Sequence, residues 1–194
     1  MAKDLSGKKV AVLTDNGFEQ SELTSPVAAL RAAGATVHVV SPQREKVKAW
    51  DQDNWGIEVP VDVPLDQARP EDYDALVLPG GVMNPDFLRV NPAAVAFAQH
   101  FLEQGKPTAA ICHGPWLLAE TGMINGRKMT SYNSIKTDLK NAGAIWEDKE
   151  VVTDNGLVTS RNPGDLEAFN KKVIEEISEG QHDTRAAFTQ PQEA

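Results

Sequence analysis

Short apolar runs separated by helix-spaced segments set the rhythm of this chain. Val10 to Thr14 is an apolar run that opens into the polar turn Asp15-Asn16-Gly17-Phe18-Glu19. The period then changes: Leu23, Val27 and Leu30 recur at helix spacing between Gln20 and Ala33, and Gly34 stops the pattern. Pro26 is expected to bend the early part of that helix. Ala35 to Ser41 follows as a second strand. Ala75 to Pro79 and Pro107 to Ile111 are further short apolar runs, which predicts strands buried on both faces. Asn91-Pro92 starts a helix with Asn as cap and Pro in its first turn, and Gly105 ends it. Strand and helix alternate from Val10 to Ala119, the pattern of an α/β protein with a mostly parallel sheet between helical layers.

The remaining stretches are less regular. Arg44 to Leu65 is polar, with Val47 to Trp50 and Ile57 to Val59 as two strands of a ribbon around Asp51-Gln52-Asp53-Asn54. Trp50 and Trp55 beside that turn fit a small satellite core or a subunit contact equally well. Pro70-Glu71-Asp72 opens a helical turn in a connector. Lys128 to Ser131 reads as a strand, Ser134 as the cap of a helix through Asn141, and Asp154-Asn155-Gly156 as a hairpin turn. A long helix is expected from Asp165 to about Glu179. Gln181 to Ala194 is polar and aperiodic, a tail to a single domain spanning 1–194.

Composition narrows the function. The 194 residues are 41% hydrophobic and 24% charged, with a net charge of −9. That balance speaks against nucleic acid or an anionic membrane as partner. The opening Met-Ala-Lys-Asp-Leu-Ser-Gly-Lys-Lys lacks the apolar centre of a secretory leader, and no apolar run approaches the roughly 20 residues of a membrane span. A single cysteine forms no internal disulfide and suits a reducing cytoplasm. The four histidines and the cysteine show no zinc spacing, and no phosphate-loop signature is present, so no metal or cofactor is expected.

The chemistry converges on Cys112. It stands where the run Pro107–Ile111 meets the helical pattern of Trp116, Leu117 and Ala119, with Ala110 two residues before and Gly114 two residues after. A sharp strand-to-helix turn has this form, pushes one side chain out over the sheet, and needs small residues at those flanks. Pro115 suits a first helical turn. A thiol facing a helix N-terminus has its thiolate favoured, and His113 adds a base or an imidazolium, which predicts ionisation near neutral pH. Glu19, read alone, is an acid in a first helical turn, stabilised by the helix dipole. Gly80-Gly81 after the strand Ala75–Pro79 is a tight turn that can present successive amides to an anion.

Ala-Ile-Cys-His-Gly-Pro resembles the nucleophile motif of the PfpI (ThiJ/PfpI) family, within the class I glutamine-amidotransferase-like group. The resemblance runs from about Lys9 to about Glu179. It implies a flavodoxin-like three-layer sandwich with the active site at the carboxyl edge of the sheet. Phe18-Glu19 matches the family's Phe-Glu motif, which places Glu19 beside the cysteine as a proton shuttle. Leu-Pro-Gly-Gly resembles the oxyanion loop, so that the amides of Gly81 and His113 hold a developing oxyanion. Pro85-Asp86 matches in kind the acid that reaches the histidine of a neighbouring subunit, which implies a homodimer or larger homo-oligomer. Thr130-Ser131-Tyr132 resembles a segment whose tyrosine lines the pocket. The resemblance implies two activities: hydrolysis of small reactive carbonyls and glycated groups (glyoxalase III or deglycase), or of peptides. Asp86, where peptidase members favour Glu, tips the reading toward the carbonyl role. A non-enzymatic thiol sensor would use the same residues.

Overall fold

The structure, a computed structural model, describes residues 3–183; most of the expected tail, from 184 onward, lies outside the described residues. The first half of the chain runs β1 (Lys9–Leu13), β2 (Phe18–Glu19), α1 (Gln20–Ala32), β3 (Thr36–Ser41), β4 (Lys46–Asp51), β5 (Asn54–Pro60), β6 (Val63–Pro64), β7 (Ala75–Leu78), α2 (Met83–Arg89) and α3 (Pro92–Glu103). The second runs β8 (Thr108–Ile111), α4 (Pro115–Glu120), β9 (Lys128–Met129), α5 (Lys136–Asn141), β10 (Ile145–Trp146), β11 (Val151–Asp154), β12 (Leu157–Ser160) and α6 (Leu166–Glu179).

Seven strands form the central sheet in the order β11-β12-β8-β7-β1-β3-β6. Every pairing is parallel except β11 with β12. Because alternate side chains leave opposite faces of a strand, each apolar run feeds two cores at once. Val10, Val12, Ala75, Val77, Ala109 and Ile111 pack with Leu23, Val27 and Leu30 of α1 and Phe169, Val173 and Ile177 of α6. Ala11, Leu13, Leu76, Leu78 and Ala110 pack on the other face with Phe97 and Phe101 of α3 and Leu117 and Leu118 of α4. This is the expected flavodoxin-like sandwich.

The expected ribbon is present as β4–β5, with Trp50 and Trp55 in an edge-to-face pair whose centroids lie 5.5 Å apart. It is held to the site, because Phe18–Glu19 pairs with Ala49–Trp50. Met83–Arg89 forms the helix α2 that carries Asp86. One local expectation changes. Ser134 does not cap α5, whose N-cap is Ile135 after a 3-10 turn at Asn133–Ile135.

The strand order reverses direction between β1 and β7: β3 and β6 lie to one side of β1, and β7, β8 and β12 to the other. A crevice opens at the carboxyl ends of strands at such a point. The turns after β1, β7 and β8 meet there.

Candidate active site

Cys112 leaves β8 with φ of 62°, in the left-handed region that residues other than Gly and Asn adopt at a cost of order 1–3 kcal/mol. The surroundings hold it there. Its amide donates to Ser160 O at 3.1 Å, and its carbonyl accepts from the Tyr132 amide at 2.8 Å. The turn needs Gly114, since a Cβ there would stand 2.6 Å from Leu78 O and 2.9 Å from Ile111 O. The elbow predicted from Ala110, Cys112 and Gly114 is therefore the local geometry, enforced by packing against the next strand.

The carboxyl facing the thiol is Glu22, and this corrects the expectation for Glu19. Glu22 is fully buried on the sheet side of α1. Its Oε2 accepts from the Gly80 amide at 3.0 Å, while Oε1 is buried and makes no full hydrogen bond. Its other polar neighbours are the Cys112 thiol and the Gly81 amide. Glu19 lies three residues earlier, half-buried at the N-cap of α1, where its carboxyl accepts from Ser21 Oγ at 3.5 Å. The reason is helical phase. Glu19 is the residue before the first turn of α1, whereas Glu22 falls on the stripe Glu22, Leu23, Pro26, Val27 and Leu30 that faces the sheet.

Burial pushes the Glu22 carboxyl up to about 8, opposed by the thiol and by the amides of Gly80 and Gly81. Burial, and then the Glu22 charge, push the Cys112 thiol up as well. The amides of Gly81 and His113 point at the sulfur and pull the other way. Burial alone pulls His113 below the ordinary histidine value, so it supplies no imidazolium at neutral pH. The expected lowering of the thiol by a helix end and a charged histidine is thus overturned. The sulfur is buried, α4 is only six residues long, and the nearest charge is negative. What remains is a pair sharing one proton: thiol with carboxylate, or thiolate with carboxylic acid.

Gly80 and Gly81 sit where expected. A Cβ on Gly80 would run into Glu22 Oε2 and Cys112 Cβ, and Gly81 needs φ of 77° with the Gly17 carbonyl against its α-carbon. Asn84, fully buried at the start of α2, fixes this loop. Its Nδ2 donates to Pro79 O and Gly80 O, each at 3.0 Å, and its Oδ1 accepts from the Asp15 amide at 2.6 Å. It ties the turn after β1 to the turn after β7.

The His113 ring stands with Nδ1 3.2 Å from Cys112 Sγ and Nε2 2.9 Å from Ser134 Oγ. Tyr132 stacks on it at 4.8 Å with 24° between the rings, and Tyr132 is 43% exposed at the rim of the crevice. Asp86 is not brought to His113 of its own chain; it is ion-paired with Arg89 at 2.8 Å, and the Arg89 guanidinium lies over Trp116 at 4.5 Å. Cys112, His113, Gly80, Gly81 and Tyr132 thus come together, while Glu19 and Asp86 lie outside the immediate thiol contacts.

Sequence reasoning missed Glu22, Asn84 and Ser134. Only Glu22 carried a signal, an ionisable residue on the apolar face of a helix. Far from the crevice, Glu176, Glu179 and His182, spaced three apart, come together at the end of α6 with ligand atoms within 4.8 Å of one another. There Lys172 and His182 already take the Glu176 carboxylate.

The fold and site define a cysteine-nucleophile α/β sandwich with its thiol on an elbow and a buried carboxyl beside it. The DJ-1/PfpI family model matches residues 8–176, and the chain belongs to that family. Among its relatives is the protein/nucleic acid deglycase 2 of Escherichia coli, 45% identical over 168 residues that cover 86% of this chain and 96% of that one. The general stress protein 18 of Bacillus subtilis is 44% identical over 169 residues, covering 87% and 96%. The crystal structure of Drosophila melanogaster DJ-1beta superposes with a TM-score of 0.80 at 33% identity, covering 88% of this chain and 90% of that one.

Proposed function

We propose that this protein is a cysteine-dependent deglycase that hydrolyses reactive α-oxoaldehydes and their adducts, with Cys112 as nucleophile. The observation that carries the reading is the Glu22 carboxyl, buried against the thiol with no cation nearby. Such a carboxyl holds a proton near neutral pH and can give it up as charge develops. The family relatives that bear the name deglycase support the same chemistry.

The steps follow from the geometry. With the shared proton on Glu22, the Cys112 thiolate adds to the aldehyde carbon, forming the S–C bond and sending the carbonyl pair onto oxygen. The amides of Gly81 and His113, which point at the sulfur, hold that oxyanion until Glu22 protonates it. His113 Nδ1, at hydrogen-bond distance from the sulfur, stands beside the new carbon. It lifts the proton from that carbon and returns it to the adjacent one through an enediol, while the hydroxyl proton passes from the first oxygen to the second by way of Glu22. The first carbon is thereby oxidised to a thioester and its neighbour reduced to an alcohol, so no external oxidant is used. Water then cleaves the thioester, releasing a 2-hydroxy acid and regenerating the thiol; from a hemiaminal adduct, the thiolate forms its bond to the same carbon as the C–N bond breaks, the amine leaves with the Glu22 proton, and the same thiohemiacetal results.

We read the chain further as one domain of this type, working in a reducing cytoplasm as a homo-oligomer. The support is a strip of exposed apolar residues on and around α2: Val82 at 56%, Phe87 at 49% and Val90 at 76% exposure. Asp86 lies in that strip, where a second copy would bring it within reach of the crevice. Among the described residues no helix is long and apolar enough to cross a membrane.

Lactate release from methylglyoxal, and amine recovery from methylglyoxal-treated arginine, test the activity. Wild type is expected to turn over both, and Cys112→Ser to fall to background; equal rates in the two proteins would end the proposal. Sedimentation at micromolar concentration tests the assembly, and an active monomer would remove the subunit contact.

A further inference from the structure

We propose that Ser134 orients His113 for proton transfer, so that thiol, imidazole and serine hydroxyl form one line within a single chain. This rests on the reading of Cys112 and His113 above, and assigns a role to a residue outside it. A histidine that accepts a proton beside the sulfur needs its lone pair on Nδ1, the nitrogen 3.2 Å from Cys112 Sγ. A neutral imidazole with a lone pair on Nδ1 carries its hydrogen on Nε2. Nε2 lies 2.9 Å from Ser134 Oγ, which accepts that hydrogen, while the exposed serine donates its own to solvent or to a second copy. A half-turn of the ring would take Nδ1 away from the sulfur and break the serine contact as well.

The segment around Ser134 is built to hold the ring. The Tyr132 amide grips the Cys112 carbonyl at 2.8 Å. The Tyr132 ring stacks on one face of His113, and Trp116 meets the ring at 5.3 Å and 59°. Stacking fixes the plane of the imidazole but is indifferent to a half-turn of the ring about Cβ–Cγ; the hydroxyl selects between those two orientations. Asp86, the acid expected to do this, is ion-paired to Arg89 in the same chain. During the reaction the proton from the substrate carbon goes to Nδ1 and later returns from it. The Nε2 hydrogen stays in place, shared with Ser134 Oγ, which stabilises the transient imidazolium.

The test compares wild type, Ser134→Ala and Ser134→Thr. Ser134 is exposed in a short 3-10 turn, so neither variant should unfold the chain. Ser134→Ala is expected to lower kcat for methylglyoxal by about tenfold or more with KM unchanged, and Ser134→Thr, which keeps the hydroxyl, to restore most of it. Nitrogen-15 spectra of labelled histidine should show His113 hydrogenated on Nε2 in wild type and a mixture of tautomers in Ser134→Ala. A wild-type His113 hydrogenated on Nδ1, or a Ser134→Ala protein with unchanged tautomer and kcat within about twofold, would overturn the proposal. Should wild type fail to turn over methylglyoxal, the deglycase reading falls, and the tautomer alone still decides the role of Ser134.

Discussion

Two buried carboxylates in this molecule, Asp165 and Glu22, have opposite surroundings. Asp165, at the start of α6, accepts from the Arg161 amide at 3.0 Å, from Arg161 Nε at 2.9 Å and from Arg161 Nη2 at 3.0 Å. Glu22, in the first turn of α1, has only the Gly80 and Gly81 amides and a thiol beside it, and its Oε1 makes no full hydrogen bond. Both sit near the carboxyl edge of the same sheet. Asp165 has its oxygens taken by the Arg161 amide and guanidinium, and it fastens the turn after β12 to α6. Glu22 has no cation, so burial raises it toward about 8 and its proton is exchangeable at physiological pH. A buried acid is structural when its partners fill every lone pair, and chemical when they leave one open.

The largest effect should come from emptying the open site. Glu22→Gln keeps the shape and the amide contact but carries no transferable proton, so turnover should fall about 10²- to 10⁴-fold with the fold intact. A kcat within threefold of wild type would place the acid–base role elsewhere. Asp165→Asn is the matching change on the saturated side. It should cost about 2 kcal/mol in denaturant unfolding while leaving kcat nearly unchanged, because Arg161 loses its charged partner. Loss of turnover without loss of stability would erase the distinction between the two acids.

A third measurement uses pH. The folded-state value of Glu22 lies above that of an unfolded glutamate, so between about 4.5 and about 8 the native state holds more protons than the unfolded one. This contribution to stability is present in full below that window and is lost as pH rises through it, with a slope of at most about 1.4 kcal/mol per pH unit. Glu22→Gln removes the slope. Its Tm should match wild type near pH 4.5 and exceed it increasingly toward pH 8; parallel curves would mean that Glu22 does not take up its proton in that range. The smallest effect is expected at Glu19, which burial and then Asp51 also raise. Its carboxyl is half open to water, so Glu19→Gln should change turnover by less than about threefold. A hundredfold loss there would return the shuttle role to the residue that the Phe-Glu motif suggested.

The sequence by itself determined the architecture and the position of the cysteine on its turn. Apolar runs too short for helices, helix-spaced stripes between them and glycine stops are local statements, and the parallel sandwich follows from their order. The elbow is local too: Ala110, Cys112, Gly114 and Pro115 are close neighbours in the chain, and the small flanks report the close approach of backbone that Gly114 makes to Leu78 O. What surrounds the sulfur was decided by tertiary structure. Glu22, Ser134 and Asn84 reach the crevice from α1, from the turn before α5 and from α2, across separations that no local pattern encodes. Glu19 and Glu22 differ by less than one helical turn, and only the docking of α1 on the sheet settles which of them faces the thiol. The protonation chemistry was equally out of reach. A thiol at a helix start reads as acidic, but burial beside a carboxyl reverses that, because desolvation and a neighbouring negative charge exist only once the layers have closed over the site.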